Sequence, residues 1–339
     1  MLRGLLAYFH YKKNTMGLFD LFKSKPKTEN TDAEKSEPKV SFEVLRDDGV
    51  RAMKMGEVPF AVKCFTAALE MKDDLTTLSY LAEAQIRMQD YEKARPSLER
   101  LVEAAPENLT LILLLARTLG ELKDYATMKT IAEKALALES ESSAGKYYAA
   151  DAAYNLGDPF TAIALLTQAL EKHADFADAR SLRARILMGM QQFQEAVNDT
   201  EILVAENAEN EEYLAQHAQV LTAIDRDDEA IDTLLKLKEY NPFNREAVVL
   251  LCGVYEKKSL HDKALELLDE AIELQPDFGK AYKIRGGIKL HLNDKEGAAA
   301  DLTKSLEVEP ELAKEVDGEY TTLENQLKDR FRSMNPYQF

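Results

Sequence analysis

The chain has 339 residues, and its 60 acidic residues outnumber the 43 basic ones, which gives a formal net charge of −17. An acidic body of this kind repels phosphate backbones, so the composition argues against nucleic acid as a general partner. The two lone cysteines, Cys64 and Cys252, favour a reducing compartment. We therefore expect a cytoplasmic protein without structural disulfides.

Residues 1–41 precede any repeated pattern. Residues 1–15 are a possible upstream start extension, because MGLFDLF from Met16 itself resembles a protein start, and both starts remain open. Residues 16–41 combine a short amphipathic segment with a polar linker. Within them, residues 17–27 carry an apolar cluster and three lysines, which suits an acidic membrane surface; alternatively the segment is disordered or docks on the first repeat. No stretch suits a secretory signal or a membrane span.

An anchor position, alanine in seven of eight cases, recurs at intervals of 33 or 34 residues. The anchors are Ala61, Ala94, Met128, Ala162, Ala196, Ala230, Ala264 and Ala298. A fixed period of this length indicates a repeat array. If each anchor is numbered position 20 of its repeat, position 8 is small every time: Gly49, Ala82, Ala116, Ala150, Ala184, Ala218, Cys252 and Gly286. Small residues at both positions let the two helices of a repeat approach closely.

The stretch from Ala264 to Pro276 shows why each repeat is expected to be helical. Its apolar residues recur at helical spacing on one face: Ala264, Leu268, Ala271 and Ile272. Proline cannot continue a helix, and position 32 is proline in four repeats: Pro106, Pro242, Pro276 and Pro310. Asp175 and Asp277, just after this position, suit the start of the next helix.

These residues resemble the tetratricopeptide repeat, which has a small residue at position 8, Ala at 20, a large apolar residue at 24 and Pro at 32. The resemblance covers residues 42–312 as eight units: 42–74, 75–108, 109–142, 143–176, 177–210, 211–244, 245–278 and 279–312. It implies an all-α fold, a right-handed superhelical solenoid of about eight helix-turn-helix repeats. The sequence departs from the family pattern at position 4, which lacks Trp throughout, at Met128 in position 20 and at Thr200 in position 24.

After Pro310 the pattern changes to one amphipathic stretch. An apolar stripe at helical spacing comprises Val316, Tyr320, Leu323, Leu327 and Phe331. Because the last repeat of an array otherwise exposes its apolar face, residues 313–332 are predicted to form a capping helix. Residues 333–339 are expected to be a loose tail.

The sequence shows no signature of catalysis or of a cofactor. The five histidines are His10, His173, His217, His261 and His291, and no two have the i, i+4 spacing of a helical metal site. His217 is expected to be a packed core residue. There is no nucleotide-binding glycine loop and no nucleophile elbow. We therefore expect no cofactor, no metal and no enzymatic activity.

The family resemblance implies that positions 2, 5, 9 and 12 of each first helix line a concave groove. The residues that we expect to contact a partner there are Arg117, Tyr147, Asp151, Tyr154, Arg185, Met188, Lys280 and Lys283. A second interpretation of Arg117 and Arg185 remains open, in which they pair with local carboxylates such as Asp151 and Glu83 and only keep the groove soluble.

The predicted function is that of a non-enzymatic scaffold or adaptor that binds a peptide or a partner helix in this groove. The alternative is a membrane-peripheral assembly factor, tethered by residues 17–27. The sequence does not identify the partner.

Overall fold

The computed structural model describes residues 41–315, and every regular element in this range is helical. The α-helices are α1 Phe42–Met55, α2 Val58–Met71, α3 Leu75–Arg87, α4 Tyr91–Ala104, α5 Leu109–Glu121, α6 Tyr125–Leu138, α7 Ser143–Asn155, α8 Pro159–Lys172, α9 Ala177–Gly189, α10 Phe193–Glu206, α11 Glu211–Ala223, α12 Asp227–Tyr240, α13 Arg245–Lys257, α14 His261–Leu274, α15 Gly279–His291 and α16 Lys295–Val308. A 3-10 helix, Pro310–Glu315, follows. The predicted all-α repeat architecture is confirmed.

Several predictions concern segments outside the described residues. They are the start extension at residues 1–15, the segment at 16–40 with its proposed membrane contact, the remainder of the capping helix at 316–332, and the tail at 333–339. Within the described part of the chain, no helix is both long enough and apolar enough to cross a membrane.

Polar side chains begin most of the odd-numbered helices, which are the first helices of the repeats. A side-chain oxygen accepts a hydrogen bond from the backbone N–H three residues on at Ser41, Asp74, Asn108, Ser142, Asn210 and Asn244. The expectation for Asp277 is wrong. α15 starts after Phe278, which makes no such bond, and the Asp277 carboxylate instead accepts from Arg245 Nη2 at 2.6 Å.

The two helices of every repeat are joined through a residue in the left-handed backbone conformation, always at position 15. These residues are Gly56, Gln89, Lys123, Gly157, Gln191, Asp225, Ser259 and Asn293, with φ between 57° and 89°. Only two are glycine, although a side chain disfavours this conformation by about 1–2 kcal/mol. The close packing of the helix pair therefore holds six residues that carry side chains in a backbone conformation that is unfavourable for them.

The small residues at positions 8 and 20 lie where the helices of a pair touch. Gly49 on α1 faces Phe65 on α2 so closely that a Cβ added to the glycine would lie 2.5 Å from the ring. The large anchor Met128 is fully buried, and Gly120 on the facing helix makes room for it, since a Cβ there would lie 3.3 Å from Met128 Cε. A larger residue on one helix is thus matched by a glycine on the other.

The departure at Thr200 also has a structural explanation. Its side chain is fully buried, and its hydroxyl donates to the Val197 carbonyl at 3.1 Å and hydrogen-bonds His217 Nδ1 at 2.9 Å. His217 is 8% exposed, which confirms it as a core histidine. The two buried polar side chains therefore provide each other with a hydrogen-bond partner, which buried polar groups require.

The chain forms two compact units, residues 41–179 and 180–315 of the described part, and the boundary falls within α9. In the first unit, buried side chains from α3 to α7 form one continuous hydrophobic core.

The second unit contains two equivalent ion pairs. Arg183 and Arg285, both at position 7, each donate two hydrogen bonds to the aspartate at position 23 of the same repeat. The partners are Asp199, at 2.7 and 2.8 Å, and Asp301, at 2.6 and 2.8 Å.

Candidate protein-binding face

In the first unit, α5 and α7, the first helices of neighbouring repeats, pack against each other. On α7, Tyr147, Asp151 and Tyr154 are four and three residues apart, so their side chains lie on one face of the helix. Arg117 occupies the matching register of α5, because it and Asp151 are both at position 9. All four side chains are partly exposed. We call these four residues the α5–α7 face.

The Arg117 guanidinium makes no hydrogen bond and no ion pair with any residue between 41 and 315. The two carboxylates proposed as its counter-ions are engaged elsewhere. Glu83 Oε1 accepts from Arg87 Nη2 at 2.7 Å, and Asp151 Oδ1 accepts from Asn155 Nδ2 at 3.0 Å. Local pairing therefore does not account for Arg117 in this structure.

The charges of Arg117 and Asp151 both influence the buried side chain of Tyr148. Its side chain is 4% exposed and belongs to the core of the first unit. Burial raises the pKa of Tyr148; the positive charge of Arg117 opposes this rise, whereas the carboxylates of Asp151 and Glu121 add to it. The charges of Arg117 and Asp151 thus act in opposite directions on the same buried hydroxyl.

Gly120 places the Asp151 carboxylate against α5. A Cβ added to Gly120 would lie 3.8 Å from Asp151 Oδ2, which is ordinary van der Waals contact. The glycine that accommodates Met128 in the core therefore also sits beside a carboxylate of the candidate face.

Aromatic contacts hold the Tyr147 ring in position. Its centroid is 5.2 Å from that of Tyr148, edge to face, and 5.3 Å from that of Phe176. Both neighbours are buried, so Tyr147 presents a rigid aromatic surface at low entropic cost. The hydroxyl of Tyr154, one helical turn beyond Asp151, makes no hydrogen bond within the described residues and is available to a partner.

Two sequence models of the tetratricopeptide repeat match the chain, over residues 77–108 and 147–201. The second match begins at Tyr147 and includes most of α7. The chain belongs to the tetratricopeptide repeat family. In general terms, this makes it a repeat scaffold of the kind that binds other proteins.

Solved structures of tetratricopeptide repeat proteins share this fold. One from Parabacteroides merdae is 16% identical, covers 78% of this chain and 98% of its own, and has a TM-score of 0.56. PilW, a type IV pilus biogenesis factor, is 17% identical, with coverage of 62% and 98% and a TM-score of 0.54. At these identities the likeness concerns the fold alone. No curated protein sequence matches the chain.

The other predicted contact residues of this tetratricopeptide repeat protein lie on first helices of the second unit. Arg185 is exposed on α9 and makes no ion pair with a described residue. Met188, also on α9, is only 6% exposed, so its side chain serves packing and offers little surface to a partner. Lys280 is exposed and Lys283 half-buried on α15. These residues come from the fifth and eighth repeats.

Sequence reasoning missed the residues that support the face. Tyr148 and Phe176 flank Tyr147, and Gly120 lies beside Asp151. Glycine at position 12 was a usable signal, because α5 is the only first helix of the eight that has glycine there. The aromatic support had no such signal, since Phe176 comes from the loop before α9 rather than from the repeat pattern.

Proposed function

We propose that the α5–α7 face binds an extended peptide or a partner helix, and that Arg117 recognises a carboxylate of that partner. The observation that carries the proposal is the unpaired state of Arg117. It is half-buried and has no counter-ion among the described residues of a chain with 60 acidic residues.

Other arginines of the first unit show what an arginine does here when an acid is within reach. Arg95 donates to Glu99 at 2.8 Å and to Asp124 at 3.0 Å, and Arg100 holds both oxygens of Asp73 at 2.9 and 3.0 Å. A half-buried guanidinium without such a partner has lost part of its hydration and gained no ion pair in return. A carboxylate brought by a binding partner would supply two parallel hydrogen bonds to it.

The residues around Arg117 favour a partner that has one carboxylate and an apolar side chain next to it. Tyr147 and Tyr154 offer rigid aromatic surface, and tyrosine and arginine are enriched among residues that dominate binding energy. Asp151 disfavours a second carboxylate at its own position and so fixes where the acid can lie. In the second unit, Arg185, Lys280 and Lys283 are proposed as contacts of the same chemical kind.

The experiment begins with affinity capture by the full chain, followed by binding measurements with the partner so identified. Arg117→Ala and Tyr154→Ala are expected to weaken binding at least about tenfold, because truncated hot-spot residues typically cost 2 kcal/mol or more. Arg100→Ala is the matched control: it removes the same charge from the same unit but breaks only an exposed ion pair. If Arg117→Ala and Tyr154→Ala both bind as tightly as the parent while their melting curves are unchanged, the α5–α7 face is not the binding surface.

A further inference from the structure

The turns between the helices of the first two repeats expose large apolar side chains. Met55 and Met88 occupy position 14, just before the left-handed turn residue, and are 66% and 44% exposed. Phe60, in the first turn of α2, is 52% exposed. These side chains lie on the same edge of the first unit and are left largely uncovered by residues 41–315.

An acidic residue accompanies each of these turns. Position 16, just after the left-handed residue, is acidic in every repeat of the first unit: Glu57, Asp90, Asp124 and Asp158. The second unit has a single acid there: Gln192, Arg226, Leu260 and Asp294. Glu57 is exposed and forms no ion pair with a described residue, whereas Asp90 accepts from Lys93 Nζ at 2.6 Å. We call Met55, Glu57, Phe60, Met88 and Asp90 the turn edge.

The turn edge differs from the corresponding turns of the third and fourth repeats. Asp124 and Asp158 each accept a hydrogen bond from the backbone of their own helix, at 3.2 and 3.0 Å, and so serve as helix caps. Glu57 and Asp90 make no such bond. Leu122, at position 14 of the third repeat, is half-buried. Exposed apolar surface and carboxylates that cap no helix therefore occur together in two adjacent repeats at the start of the described chain.

Residues 17–27 of the same chain have the complementary chemistry. Four large apolar residues are followed by three lysines: Leu18, Phe19, Leu21, Phe22, Lys23, Lys25 and Lys27. We propose that this segment packs on the turn edge, with its apolar side chains against Met55, Phe60 and Met88 and its lysines towards Glu57 and Asp90. Removal of apolar surface from water drives the contact, and the opposite charges favour one orientation.

The connecting chain is long enough for this contact. Residues 28–40 separate the segment from Ser41 at the start of α1, and 13 residues span up to about 45 Å when extended. α1 has 14 residues and is about 21 Å long, so Met55 at its far end lies within reach. As a helix, residues 17–27 would be about 16 Å long, and neighbouring helices pack about 8–10 Å apart. The segment therefore matches the width of two repeats.

The test uses the full chain with a single fluorophore. The protein has no tryptophan, so Phe22→Trp reports on the segment alone. Its emission should lie at shorter wavelength than in urea and be shielded from acrylamide. Phe60→Ser in this background should shift the emission towards its value in urea and increase quenching. Phe160→Ser is the matched control, because it removes a phenylalanine that is 68% exposed in the first turn of α8, and it should change neither quantity.

An acidic membrane surface is the other occupant that the segment suits, and the same fluorophore distinguishes it. Vesicles of phosphatidylcholine and phosphatidylserine are added to Phe22→Trp with and without Phe60→Ser. If the emission moves to shorter wavelength only when vesicles are present, and Phe60→Ser changes nothing without them, the segment does not occupy the turn edge and the proposal is wrong.

A cross-link gives a second readout that does not depend on Phe60→Ser. The chain's own cysteines, Cys64 and Cys252, are buried, so an introduced pair can be oxidised selectively. Phe22→Cys combined with Phe60→Cys should form a disulfide within one chain, and Phe22→Cys combined with Phe160→Cys should not. Equal cross-linking of the two pairs would show that the segment has no preferred site on this edge, and a disulfide-linked dimer would show that it binds a second copy. Either result would overturn the proposal.

Discussion

The contact between Gly49 and Phe65 allows a prediction whose size follows from the structure. A Cβ added to Gly49 would lie 2.5, 2.7 and 2.9 Å from three carbons of the Phe65 ring. The ring is fully buried and packs against that of Tyr80 at 5.5 Å, so it has little room to move. Overpacking a core typically costs about 1–3 kcal/mol, whereas Gly→Ala within a helix gains about 0.5–1 kcal/mol. Gly49→Ala should therefore lower the unfolding free energy of the first repeat by about 1–2 kcal/mol.

The assay is hydrogen exchange of α1 and α2 combined with urea unfolding of the full chain, because damage in a repeat array is felt mainly near its site. Gly287→Ala is the control. It is also a glycine within a helix, but nothing lies within 4 Å of the added Cβ. The helix-propensity gain is the same at both sites, so the difference between the variants measures the clash. Phe65→Leu should reduce the cost of Gly49→Ala, with a coupling of at least about 0.5 kcal/mol in a double-mutant cycle.

If Gly49→Ala is as stable as Gly287→Ala relative to the parent, the close approach of α1 and α2 is not what makes position 8 small. An additive result in the double-mutant cycle would lead to the same conclusion, even if Gly49→Ala were destabilising.

Three further predictions concern the turns and the buried polar groups. Gln89→Gly and Lys123→Gly should each stabilise the first unit by up to about 1 kcal/mol, because both residues are in the left-handed conformation that glycine adopts more easily. Gly157→Ala should destabilise it for the same reason. The urea concentration at the unfolding midpoint measures the effect of all three variants. Asp199→Asn should destabilise the second unit by about 3–5 kcal/mol in urea unfolding, because it leaves Arg180 and Arg183 without their buried counter-ion; a loss below 1 kcal/mol would contradict the assignment. Burial lowers the pKa of His217 from 6.5, so below about pH 6.5 the unfolded chain binds a proton that the folded chain does not. The free energy of unfolding should therefore fall as the pH drops below about 6.5 and should be constant above it. Unfolding measurements between about pH 5 and 8 give this pH dependence, which His217→Gln should remove.

The sequence was sufficient to predict the helix pairs, because small residues at positions 8 and 20 have a direct steric cause. It was not sufficient to predict the turns. Gly56 and Gly157 mark two of them, but the other six carry side chains at the same left-handed position. Tertiary packing overrides the local preference there, and no single-residue propensity reports this.

Comparison between repeats would have revealed more than any one repeat does. Arginine at position 7 and aspartate at position 23 occur together only in the fifth and eighth repeats, and both pairs form. The α5–α7 face differs in this respect. Arg117 has several acidic residues nearby in sequence and in space, and whether it pairs with one depends on side-chain geometry that spacing does not encode. Both interpretations of Arg117 were therefore open until the structure showed it unpaired.

The core and the candidate face are connected through Gly120. Met128 replaces the anchor alanine of the third repeat, and the extra volume is accommodated because α5 has glycine at the contact. That glycine occupies position 12, one of the positions that line the binding groove in the family, and the Asp151 carboxylate lies beside it. The space that a side chain at position 12 would occupy is taken by Met128 on one side, and the Asp151 carboxylate lies next to it. The glycine that accommodates the departure at Met128 in the core is therefore also the residue against which a charged side chain of the candidate face packs.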